Sequence, residues 1–109
     1  MTARIERKLT GSPPHSTTWV RILENGDFEV EYYDYFCDED SPFSHDYAVI
    51  NRVKQEHTAL LKRLLTGSDS SSDETLLDAV VQRFPQRHDV EEWCKTNHVP
   101  CAHIYDPYA

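Results

Sequence analysis

The dipeptide Asn25-Gly26 lies between two segments of strand-forming residues, and nothing else in the chain constrains the fold as strongly. Asn and Gly both tolerate positive φ, so the pair can close a tight hairpin. The segment before it, residues 17–24, is β-branched and aromatic, and residues 27–35 return antiparallel to it. A two-residue type I′ loop sets Glu24 against Asp27, Leu23 against Phe28, Arg21 against Val30 and Trp19 against Tyr32. One face then carries Trp19, Leu23, Phe28, Val30 and Tyr32, with Arg21 out of place. The other carries Val20, Ile22, Glu29, Glu31 and Tyr33. A one-residue bulge would shift the faces of one strand against the other. In either register Glu29 and Glu31 share a face, with Tyr33 and Tyr35 continuing it.

Around this hairpin the pattern predicts further elements. Residues 3–9 form a short strand and residues 10–16, with two prolines, a loop. Residues 36–45, with Asp38, Glu39 and Asp40 in succession, form a second loop, and residues 46–54 the next strand. From about Gln55 the period becomes helical: Leu60, Leu61, Leu64 and Leu65 make one stripe, and Gly67 stops it. Residues 67–73 are a serine-rich connector. Ser71-x-x-Glu74 reads as a capping box for a second helix with Leu76, Leu77, Val80, Val81 and Phe84 inward, ended by Pro85. Asp89-x-x-Glu92 opens a third, with Val90, Trp93 and Cys94 inward and Asn97 as the left-handed cap; residues 100–106 close the fold as a strand. Strands, three short helices and a last strand make an α+β domain over residues 1–109, an antiparallel sheet with the helices packed on one face.

The charge is uneven. The net charge is −8, and residues 24–46 hold nine of the 19 acids with no Lys or Arg. Such a balance argues against nucleic acid or an anionic membrane as partner and favours a basic protein. No apolar run reaches the roughly 18 residues of a membrane span. The first residues lack the apolar stretch of a signal peptide, and the odd cysteine count of three fits a reducing cytoplasm.

Reaction chemistry finds little support. Cys94, His98, Cys101 and His103 are four potential zinc ligands within ten residues, but the paired short loops of zinc sites are absent and Cys94 belongs to the core stripe. His45, Asp46 and Tyr47 near Cys37 have no sequence feature that brings them together. Glu29 and Glu31 lack the apolar pocket that would separate two carboxylate pKa values. Three glycines leave no room for a phosphate-cradling loop, and no cofactor is expected.

The run from Trp19 to Asp34, His45-Asp46-Tyr47 leading a strand, the leucine-rich helix, a helix ending Arg83-Phe84, Glu91-Glu92-Trp93 and Asn97-His98-Val99-Pro100 together resemble small acidic bacterial immunity proteins of contact-dependent inhibition and related polymorphic toxin systems. The resemblance covers most of residues 17–106. It implies a cytoplasmic protein that binds and neutralises a cognate toxin domain, often a nuclease, without catalysis. A basic nuclease partner matches the acidic balance, and the expected contact residues are Glu29, Glu31, Tyr33, Tyr35, Asp38, Glu39 and Asp40. The alternatives are a small regulatory or adaptor domain, dimerising through an edge strand or the tyrosine face, and a zinc protein built on Cys94, His98, Cys101 and His103.

Overall fold

The computed structural model describes residues 2–9, 16–34 and 46–107. Five strands, β1 (Ala3–Leu9), β2 (Ser16–Leu23), β3 (Phe28–Asp34), β4 (Tyr47–Val53) and β5 (Ala102–Asp106), form one antiparallel sheet in chain order. A 3-10 turn at Gln55–His57 leads into α1 (Thr58–Thr66), followed by α2 (Asp73–Arg83) and α3 (Arg87–Thr96), all between β4 and β5. The expected α+β architecture, helices on one face of an antiparallel sheet, is what the chain adopts.

The hairpin register differs by one residue from the two-residue reading. The Leu23 N–H donates to the Asp27 carbonyl and the Gly26 N–H to the Leu23 carbonyl, both at 2.9 Å, so residues 24–26 form a three-residue loop. Gly26, at φ 93°, supplies the left-handed residue such loops require. A β-carbon there would also lie 3.0 Å from the Gln55 side chain, which packs under the turn. The Asn25 side chain accepts from the Asp27 N–H at 3.0 Å and fixes the corner.

The shift changes every cross-strand pair. Arg21 now opposes Glu29, Val20 opposes Val30, and Ile22 opposes Phe28. Val20, Ile22, Phe28, Val30 and Val53 therefore share the helix-side face and are at most 1 % exposed. Arg21, out of place in the two-residue register, moves to the opposite face among carboxylates.

The core closes over those five residues with Leu61 from α1, Leu76, Leu77 and Val80 from α2, Val90 and Cys94 from α3, and Phe84 and Val99 from the connections. α2 seats on β1 and β2, α3 on β3, and α1 lies against α2, which leaves Leu64, from the expected stripe, exposed at the margin. The caps also differ in detail. Ser72, not Ser71, is the N-cap of α2, accepting from the Thr75 N–H at 3.1 Å. Ser71 instead bonds Thr66 and the Ser68 carbonyl, pinning the connector. α3 starts earlier than expected, at Arg87: Asp89 is its third residue, and its carboxylate accepts from the Gln86 N–H at 3.2 Å. His98, at φ 57°, takes the left-handed position in place of Asn97. The Val99 N–H reaches the Cys94 carbonyl and the His98 N–H the Lys95 carbonyl, the two bonds of a Schellman motif.

Candidate protein-binding surface

Because side chains alternate along each strand, fixing the core face fixes the other. Three rows of residues cross the helix-free face. The first is Glu6, Arg21, Glu29, Arg52 and Ala102; the second is Lys8, Trp19, Glu31, Ile50 and Ile104; the third is Thr17, Tyr33, Ala48 and Asp106. Cross-strand neighbours on one face are in contact range, so the alternating signs of the first row are a ladder of ion pairs.

Arg21 is its centre. Its Nε donates to Glu6 Oε2 at 3.0 Å, and its Nη1 to Glu31 Oε1 at 3.0 Å and Glu29 Oε1 at 3.4 Å. Arg52 donates to Glu29 Oε2 through Nη2 at 2.8 Å and Nε at 3.2 Å. The Glu29 side chain is 8 % exposed, so its charge is largely spent within the ladder, whereas that of Glu6 is 46 % exposed. Burial works against the Arg21 charge, but hydrogen bonds to Glu6 and Glu31 outweigh it, raising the guanidinium pKa further. The Trp19 ring lies 6.0 Å from the same guanidinium. At the β1 end, an open trench of about 650 Å³ is bounded by Arg4, Ile5, Glu6, Arg21 and Glu31.

Of the residues expected to bind a partner, Glu29, Glu31 and Tyr33 stand together on this face. The Tyr33 hydroxyl donates to Asp46 at 2.7 Å. Tyr35, Asp38, Glu39 and Asp40 lie outside the described residues, as do Cys37 and His45. Arg21, Arg52 and Trp19 are additions to the set. Their strands are separate in sequence from the acid-rich run, so a charge count along that run omits them.

On the helix side, beyond the helices, a second group forms. The Tyr32 and Tyr47 hydroxyls both donate to Asp34 Oδ2, at 3.1 and 3.2 Å, and Tyr105 packs at a tilt against Tyr47 with ring centroids 6.0 Å apart. Burial, then the Asp34 charge, push the Tyr47 phenol up to about 12. The alternation from Phe28 through Val30 already assigns Tyr32 to this side.

The four Cys and His residues do not gather at one point. Interaction with Cys101 and burial raise the Cys94 thiol. The His103 Nδ1 instead pairs with Glu91 Oε2 at 2.6 Å, and His98 is an exposed cap residue. Among the described residues no three His, Cys, Asp or Glu side chains are placed to share a metal ion. Glu91 also accepts from buried Asn51, whose carbonyl accepts from Arg87. Burial pushes the Glu91 carboxyl up, but the bonds from His103 and Asn51 and the nearby positive charge prevail, so it stays below the usual carboxylate range. No family model, no curated protein and no solved structure matches the chain.

Proposed function

We propose that this chain is a non-catalytic immunity protein that binds and neutralises a basic toxin domain, of nuclease type, in the cytoplasm, using the helix-free face of its sheet. The observation that carries this reading is the row Trp19, Glu31 and Ile50, a carboxylate between two large apolar side chains, beside the trench at Glu6 and Arg21. Large apolar groups within a charged rim are the composition of an energetic hot spot. A lysine or arginine of the partner entering the trench takes Glu6 and Glu31 as ligands in exchange for Arg21. The net charge of −8 accelerates encounter with a basic domain and disfavours nucleic acid and anionic lipid. Tyr35, Asp38, Glu39 and Asp40 follow β3 in sequence, and their three carboxylates belong to the acidic balance that favours a basic partner.

Glu29 has a separate part. Held by both arginines, it fixes the ladder against which the partner docks. Glu31→Lys and Trp19→Ala therefore test the surface better than changes at Glu29. The test partners are candidate basic toxin domains, titrated calorimetrically with the intact protein. Each substitution is expected to weaken binding by roughly tenfold or more, the loss typical of a hot-spot residue. Unchanged affinity in both variants removes this face from the account, and no binding at all removes the immunity reading.

A further inference from the structure

The two edges of the sheet are built differently. β1 is guarded: a bulge between Ala3 and Ile5 breaks its regularity, and Arg4, Glu6 and Lys8 are exposed along it. Those are the devices by which edge strands avoid pairing with other chains. β5 has neither a bulge nor a lysine or arginine, and no described strand lies beyond it. Its two helix-side residues remain open to solvent: the His103 side chain, though paired with Glu91 of α3, is 52 % exposed, and Tyr105 is 59 % exposed.

We propose that β5 pairs antiparallel with β5 of a second copy of this chain, joining two sheets into one. A two-fold axis at Ile104 makes the strand its own complement. Ile104 then faces Ile104 on the helix-free side, His103 faces Tyr105 twice on the helix side, and Asp106, the only acid of the strand, faces Ala102. No like charges meet. Apolar and aromatic cross-strand pairs of this kind are the favourable ones. A foreign strand would need its own match to this sequence, whereas the second copy supplies it. Each copy carries −8, so long-range repulsion opposes the dimer and salt promotes it.

Sedimentation velocity of the purified chain over a concentration series, at low and at high salt, tests this. The expected result is a reversible monomer–dimer equilibrium, with more dimer at high salt. Ile104→Lys places two lysines at the axis and is expected to abolish the dimer, even though it lowers the net charge from −8 to −7 (−8 plus one). Ile104 is a partly exposed edge residue, and circular dichroism checks that the variant folds. Ala102→Lys sets a lysine opposite Asp106 of the second copy and is expected to tighten the dimer by roughly threefold or more, from two cross-strand ion pairs. A monomer at every concentration and salt overturns the proposal, including when a foreign partner protects β5. So does a dimer that survives Ile104→Lys, or one that Ala102→Lys weakens.

Discussion

At the scale of single residues, Arg21 and Glu29 hold the ion-pair ladder together. Arginine on a strand next to valine and isoleucine is a misfit in one register and the hub of an ion-pair ladder in the other. Removing Glu29 takes both side-chain hydrogen bonds from Arg52 and one of three from Arg21, which is only 18 % exposed. Glu29→Ala is expected to cost about 1–3 kcal/mol, the penalty for a buried donor that loses its acceptor. Glu6→Ala, at the exposed end of the ladder, is expected to cost about 0–1 kcal/mol. Urea unfolding at neutral pH measures both, and equal losses would contradict the ladder. Glu91 makes a pH prediction. Its folded carboxyl lies below the ordinary range, so the folded state holds its proton less readily than the unfolded chain. The resulting stability is present above the unfolded carboxylate pKa and is lost as pH falls through the folded one. The stability gap between the parent chain and Glu91→Gln is expected to narrow on acidification; a gap independent of pH would contradict it.

At the scale of elements, all five strands and three helices were legible, because each has its own period: two residues for the sheet, about 3.6 for Leu60–Leu65, Leu76–Phe84 and Val90–Cys94. The joints were not. Asn25-Gly26 serves a two- or a three-residue loop equally well, and the choice is made by which register buries Val20 and Ile22, a tertiary matter. Adjacent serines at 70, 71 and 72 offer three caps of similar quality, and the docking of α2 selects Ser72. Ser72→Ala is expected to destabilise by about 1 kcal/mol in thermal or urea unfolding. His98 sits where glycine is preferred, because the Schellman turn must bring Val99 back into the core. His98→Gly is expected to stabilise the protein by about 1 kcal/mol, the strain of a β-carbon in the left-handed region. A loss of stability instead would contradict the assigned strain.

For the whole molecule, the helices that interrupt the chain between β4 and β5 cover one face of the sheet only. That asymmetry was readable from element order. The candidate surface was readable in part: Glu29, Glu31 and Tyr33 do share a face, because strand alternation is local. Its electrostatics were not, since Glu6, Arg21 and Arg52 come from three other parts of the sequence and meet only through the register. The three rows of the helix-free face thus set four carboxylates among three bases, with Trp19 and Ile50 beside them, and the proposed function needs that face to receive the partner. Amide hydrogen exchange with and without a basic toxin domain that the chain binds measures this most directly. Slowed exchange is expected in β2, in β3 and in β4 near Ile50, with α1 and α2 unchanged; protection confined to the helices, with those strands unaltered, would contradict it.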